Sequence, residues 1–463
     1  MIADLKPYSL YKASGSRWLG EVPSHWVVHN LRTLITRRNE RNRPDLPLLS
    51  VAREKGVFAR SLTDANENHN VIPEDLSNYK VTRAGNLVIN KMKAWQGSMG
   101  IAPCDGIVSP AYFVFDFGIT NRAFGQALLR SKPYVAHFGQ ASDGVRVGQW
   151  DLTIAGMRQI PVLVPSLDEQ AAIVRFLDHA NHRLEKAIRA KRKVIALLNE
   201  QKQVIIHRAV TRGIDPNVRL KPSGIPWLGE IPEHWETVRN LALFSHRVEQ
   251  GIPGLPVLQV SLHSGITEEG LDQFGRPKRL IADHTKYKLV RKNDLAYNTM
   301  RMWQGAVGVS STDGLVSPAY VVIKPRAGID SRFYEFVFRT NVYKQQVNRH
   351  STGIVSDRNR LYWENFKQMH NVLLPIAEQQ AICRFIQEEK VSLETAIIQL
   401  EREIELLREY RTRLIADVVT GKLDVRQAAA RLPDYTDNQD NNTDGTDSAG
   451  IDSEESDDEI ATD

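Results

Sequence analysis

Two stretches of the chain place a cation, an indole and an amide within a few residues of one another: NKMKAWQGSMG at 90–100 and NTMRMWQGAVG at 298–308. Lys93 and Arg301 stand at equivalent positions ahead of Trp-Gln-Gly, where a cation can hold a phosphate oxygen. Gln96 and Gln304 carry an amide that can pair with both N6 and N7 of adenine in a major groove. Trp95 and Trp303 can stack on a ligand or fill a core, and the two glutamines can instead satisfy buried backbone; both readings stand at this point. Later in each half, FGQASDGVRVGQWDL (138–152) and NRHSTGIVSDRNRLYWENF (348–366) add Arg146, Gln149, Arg358 and Arg360. Such arginines bond guanine O6 and N7 or grip phosphate, with solvated loop charge as the alternative.

This is binding chemistry rather than bond-breaking chemistry. The chain has no Asn/Asp-Pro-Pro-Tyr/Phe methyl-transfer motif and no Gly-x4-Gly-Lys-Ser/Thr phosphate loop, and the glycines of GSMGIAPCDG fit no cofactor fingerprint. In PEDLSNYK, an acids-before-lysine spacing of the kind nucleases use, Tyr79 and Lys80 recur in the second half while Glu74 and Asp75 do not. His25 and His234 sit in WLGE…HW blocks that read as structural, with no neighbouring cluster to make them metal ligands.

The pairing of motifs extends over the whole chain. SGSRWLGEVPSHW (14–26) returns as SGIPWLGEIPEHW (223–235), YKVTRAGNLVINKMKAWQG (79–97) as YKLVRKNDLAYNTMRMWQG (287–305), DGIVSPAY (105–112) as DGLVSPAY (313–320), and EQAAIVRF (169–176) as EQQAICRF (378–385). The shift is 208 or 209 residues throughout, and six of the eight tryptophans pair across it, which makes the chain a tandem repeat.

The elements that must position these motifs are of two kinds. About 150 residues of each half mix short β-like runs such as NLVIN and AYFVF with Gly, Pro and Asn punctuation, the pattern of an α+β globule. Each globule is followed by a helical pattern. Ile173, Leu177, Ala180, Leu184, Ala187, Lys191, Val194, Leu198, Gln201 and Ile205 keep alternating 4-3 steps, as do Ile382, Ile386, Glu389, Leu393, Ala396, Leu400, Glu403, Leu407, Tyr410 and Leu414. Ile188, Ile195, Ile397 and Ile404 flank the polar interruptions and widen the stripe. Roughly 42 residues at ~1.5 Å each make each helix about 60 Å long. Antiparallel packing returns the chain without a long connection and leaves two globules related by a pseudo-twofold axis.

The 463 residues carry a formal charge of +5, but Leu432–Asp463 hold twelve acids and no Lys or Arg. The body keeps 60 basic against 43 acidic residues, a formal +17 that suits a polyanionic partner. The acidic tail lacks the apolar residues to fold and reads as disordered. Two unrelated cysteines, Cys104 and Cys383, support neither a disulfide framework nor a zinc site and read as buried thiols. With no membrane-length apolar run and no signal-like start, the expected protein is soluble and intracellular.

The four paired motifs, in globule–helix–globule–helix order, make residues 14–423 resemble the specificity subunits of type I restriction-modification systems. The resemblance implies an α+β fold: two pseudo-twofold-related α/β target recognition domains, separated by two long antiparallel helices that form a coiled coil. The expected divisions are 1–167 (first recognition domain), 168–212 (first spacer helix), 213–376 (second recognition domain), 377–423 (second spacer helix) and 424–463 (acidic tail). It further implies a non-catalytic subunit that binds a split site on double-stranded DNA, one half-site per domain, and docks two methyltransferase subunits and, through them, restriction/translocase subunits. S-adenosylmethionine, ATP and Mg would then belong to those partners, with no cofactor and no metal in this subunit. The expected location is the cytoplasm of a prokaryote, at the nucleoid. The competing classes are a self-contained DNA nuclease or methyltransferase, which needs motifs the chain lacks, and a coiled-coil protein adaptor without nucleic acid.

If the two halves read different bases, residues common to both grip what all DNA shares, and discrimination falls where the copies differ. Those places are Lys91 against Thr299, Ala94 against Met302, and the unmatched loops at 53–70 and 262–279.

Overall fold

In the computed structural model, which describes residues 5–60, 75–144, 150–262, 265–268, 284–353 and 359–433, the chain divides into two units. One comprises Met1–Ala187 with Leu406–Asp463, the other Ile188–Glu405, so each contains one globule and a stretch of both long helices. The acidic tail from residue 434 onward lies outside the described residues.

The sequence repeat is a repeat of strand order. In the first globule Ile35–Arg38, Tyr112–Phe117, Leu87–Asn90 and Met99–Ile101 lie side by side, all antiparallel. Phe244–Arg247, Tyr320–Pro325, Leu295–Asn298 and Val307–Val309 repeat that order in the second. Register repeats too: Tyr112 faces Asn90 as Tyr320 faces Asn298. The central runs LVIN and LAYN are almost unbroken in hydrophobicity because both sheet faces are covered. The copies differ beside that sheet. Gly265–Glu268, Val257–Ser261, Gly314–Val316 and Lys288–Val290 form one four-stranded sheet in the second globule. The corresponding strands of the first globule make two separate pairs, Leu49–Ala52 with Gly56–Ala59 and Lys80–Thr82 with Gly106–Val108.

The long helices run Leu167–Arg212 and Ile376–Val419. Acids in their first turns, Asp168 with Glu169 and Glu378, complement the helix dipole. Left-handed Gly213 (φ 74°) and Gly421 (φ 77°) follow their ends. Glu169 and Glu378 also join two motifs that are 144 residues apart. His25 Nε2 lies 2.8 Å from Glu169 Oε2 and His234 Nε2 lies 2.8 Å from Glu378 Oε2, so the HW block is hooked to the helix start in both units. Tyr8 OH donates to the second oxygen of Glu169 (2.7 Å); in the other unit Trp235 Nε1 donates to that oxygen of Glu378 (3.1 Å). Trp26 and Trp235, fully buried, anchor the two cores beneath this joint.

Within the second unit Lys191 pairs with Glu403 and Lys202 with Glu394, which sets those helix stretches antiparallel; in the first unit Arg411 pairs with Glu185. The seam departs from a strict heptad. Val194 and Tyr410 are 43% and 39% exposed, whereas the flanking Ile188, Ile397 and Ile404 are buried. Placing Lys191 and Glu403 as an ion pair rotates the apolar contact onto the isoleucines beside them, since a straight helix drifts against a seven-residue repeat. Cysteine burial also differs from expectation: Cys104 is exposed, while burial pushes the Cys383 thiol up to about 12.

One pair of equivalent residues carries a pH consequence. Gln126 Oε1 accepts from Ile101 N (2.9 Å), and Glu335 occupies its place in the second unit, accepting from Val309 N (3.3 Å) and pairing with Arg339. Burial raises the Glu335 carboxyl despite Arg339, so the folded state holds that proton more tightly and this contribution to stability falls as pH rises above about 4. Glu335→Gln is therefore expected to raise the thermal midpoint at pH 8 and to leave it unchanged at pH 4; an equal shift at both pH values would rule out the titration.

Candidate nucleic-acid interface

The Trp-Gln-Gly stretches fold into the same one-turn 3-10 helix, Ala94–Gln96 and Met302–Gln304, closed by glycines at φ 92° and 99°. Only a residue without Cβ adopts that backbone without strain, and a Cβ at Gly97 would also meet Val135 at 3.1 Å. Each indole N–H is used inside its own turn. Trp95 Nε1 donates to Met92 O (3.1 Å) and Trp303 Nε1 to Met300 O (3.0 Å), so each tryptophan braces the strand exit that precedes it. Asn90 and Asn298 accept from the N–H of the same methionines at 3.2 and 3.0 Å. Ala94 and Met302, expected to discriminate between the copies, are fully buried under the turn and cannot do so.

The late polar stretch of each globule packs against this turn. Leu152 N donates to Lys91 O and Leu361 N to Thr299 O, both at 2.9 Å. The stretch is a hairpin stem: Ser142–Asp143 pairs with Asp151–Leu152, and Thr352 bridges Arg360. Arg146, Gln149 and Arg358 fall on residues 145–149 and 354–358, outside the described residues; most of the discriminating loops, at 61–70 and 269–279, do too. Trp150 meets Trp95 edge-on at 5.1 Å. The site therefore gathers segments about sixty residues apart that sequence spacing left separate.

Individual side chains then sort by exposure. Arg301, Gln304, Arg360 and Lys93 are exposed, and Trp95, Trp303 and Gln96 half-buried. Neither glutamine side chain makes a hydrogen bond among the described residues, which removes the reading in which they satisfy buried backbone. Lys91 Nζ is held by Asp151 (2.6 Å). Thr299, expected to be its discriminating counterpart, is only 8% exposed and donates its hydroxyl to Ala319 O (2.9 Å).

Further cations stand behind this face, at positions that spacing along the chain does not mark. Lys80 Nζ donates to Tyr112 O (2.5 Å) and Lys288 Nζ to Tyr320 O (2.6 Å), tying YK to the SPAY loop in each globule. Burial first, then the positive charges of Arg37, Arg41 and Lys91, holds the Lys80 ammonium below the usual lysine range. Arg37 lies 5.6 Å and Lys80 6.0 Å from the Phe113 ring. Recurrence of Tyr-Lys in both halves was the available signal. In the second globule the counterparts of Arg37 and Phe113 are His246 and Val321, and a cavity of about 440 Å³ opens, lined by His246, Lys288, Met300, Arg360 and Trp363 among others. His246 stacks on Trp363 (5.3 Å, 19°), and its buried Nε2 has no hydrogen-bond partner among the described residues. Burial, then Lys288, lowers its pKa against the pull of Glu364. The result is two faces on one framework, with Arg37 and Lys80 beside Phe113 in one copy and His246 stacked on Trp363 at a cavity in the other. Such faces are suited to a polyanion with distinguishable surface groups.

No family model matches the chain, and no curated protein matches it. Solved structures do. One, described as the structural basis underlying complex assembly and conformational transition of the type I R-M system, contains a chain matched at TM-score 0.62 and 13% identity, over 87% of this chain and 99% of that one. The HsdS subunit from Thermoanaerobacter tengcongensis matches at TM-score 0.49 and 14% identity, over 88% and 98%. The type I restriction-modification system S subunit from M. genitalium matches at TM-score 0.31 and 11% identity, over 85% and 96%. In fold, the chain is similar over most of its length to a component of a type I restriction-modification system.

Proposed function

We propose that the chain is the DNA-specificity subunit of a type I restriction-modification complex, binding a split site on double-stranded DNA with one half-site per globule. The observation that carries this reading is the pairing of an identical framework with different exposed groups. Both copies hold the turn, the Tyr-Lys tie and the hairpin stem in the same way, yet an exposed Arg37 stands beside the half-buried Phe113 in one where His246 and the cavity stand in the other. A protein reading one repeated sequence has no need of that difference. The two recognition domains, 1–167 and 213–376, are the units of exchange. The helices between and after them scaffold two methyltransferase subunits, and through these the restriction subunits. The methyl donor, ATP and magnesium belong to those partners, and this subunit catalyses nothing.

Lys93 and Arg301 hold phosphates in this reading, and Arg146, Gln149, Arg358 and Arg360 read bases. Gln96 and Gln304, present in both copies, grip features common to all duplexes. The decisive experiment replaces residues 27–160 with the matching segment of another specificity subunit and maps methylated bases in cells that also carry the methyltransferase. One half-site should change and the other persist; if neither changes, the assignment is wrong.

A further inference from the structure

The fold accounts for almost every residue the two turns share. Asn90 and Asn298 hold a backbone N–H, Trp95 and Trp303 hold a carbonyl, and Gly97 and Gly305 supply the left-handed exit. Both backbone bonds grip the same residue, the methionine, and the fold makes little use of its side chain: Met92 is 55% and Met300 41% exposed. A single exposed apolar residue is ordinary on a protein surface. Here one recurs at the same position of two turns whose other shared residues immobilise its backbone, while its neighbours change from Lys91 to Thr299 and from Ala94 to Met302.

An arrested, exposed thioether calls for a partner that both globules meet and that offers apolar surface beside negative charge, because the exposed cations Lys93 and Arg301 follow directly in the chain. Duplex DNA has that combination, with stacked base faces and sugar edges lying within reach of phosphates. Methionine is unbranched and polarizable, so it fits any base step without demanding one sequence. We propose that Met92 and Met300 act as apolar wedges, each pressed into a base step of its half-site and partly unstacking it, as inserted side chains of architectural DNA-binding proteins do. This proposal rests on the DNA-binding reading above. Being identical in the two copies, the wedges are neutral to base identity and favour steps that deform easily.

The test uses the full chain and a fluorescent duplex that the wild-type protein selects from a random-sequence library, with 2-aminopurine placed at successive steps. Met92→Ala with Met300→Ala should weaken binding about tenfold at every salt concentration, because a non-ionic contact is lost and the slope of log Kd against log salt stays the same. Lys93→Ala with Arg301→Ala should flatten that slope by about two. The methionine pair should also abolish a 2-aminopurine fluorescence increase seen with wild type, and Met92→Leu with Met300→Leu should restore both signals. An affinity within about twofold of wild type, or no fluorescence change with wild type at any step, overturns the wedge. In the first of those cases the methionines serve a protein surface instead. If the wild-type chain selects no duplex at all, the DNA-binding reading itself fails, which is a separate outcome.

Discussion

Trp235→Ala is expected to destabilise the second unit by about 3–5 kcal/mol, the range for removing a large buried aromatic. Trp235 is fully buried, packs edge-on against Phe333 (6.4 Å, 87°), and donates to Glu378 at the start of the second long helix. The substitution therefore opens a cavity and withdraws a donor from the carboxylate that also holds His234. Its counterpart Trp26 is equally buried, but its Nε1 has no hydrogen-bond partner among the described residues, and Tyr8 serves Glu169 in that unit. Phenylalanine separates the two contributions. Trp235→Phe should be worse than Trp26→Phe by roughly the 1–3 kcal/mol of a lost charge-assisted hydrogen bond, read from urea unfolding. Equal losses at the two sites would show that the Glu378 bond contributes nothing.

Arg247→Leu is expected to cost about 3–5 kcal/mol, because it strands a buried carboxylate. Arg247 and Asp294 are 8% and 3% exposed and share two hydrogen bonds, at 2.5 and 3.2 Å. In the first unit the equivalent Arg38 instead pairs with Asp116 on the neighbouring strand, where the two side chains are 59% and 41% exposed. Arg38→Leu should thus stay within about 1 kcal/mol of wild type. The position of Asp294 holds Asn86 in the first copy. Adding Asp294→Asn to Arg247→Leu removes the stranded charge and should recover most of the loss. Failure of that rescue would place the cost in lost arginine packing rather than in the charge.

Much of this architecture is legible in the chain because its signals are local or are counted along the chain. The shift of 208–209 residues exposes the repeat, and the 4-3 spacing of Ile173, Leu177, Ala180 and Leu184 marks a helix with one buried stripe. The HW blocks could be recognised as structural without a partner in view. That partner, Glu169 or Glu378, lies 144 residues downstream, where spacing says nothing. The recognition face was less legible for the same reason. Lys91 and Thr299 look equivalent in the chain, yet one forms an ion pair with Asp151 and the other hides its hydroxyl against Ala319. Lys80 and Lys288 look like ordinary surface lysines until the sheet folds the SPAY carbonyl over them.

The amino-acid order alone settles that there are two copies of one design, which residues the copies share, and which segments become strands or long helices, because those properties follow from periodicity and composition over short windows. Tertiary structure decides which shared residues are framework and which face outward. Asn90, Trp95 and Gly97 turn inward or brace the backbone, while Met92, Lys93 and Arg301 remain exposed at the turns. Exposure depends on what packs against a residue from the other strands and from the hairpin that closes over the turn, and no window of sequence around the residue contains those neighbours.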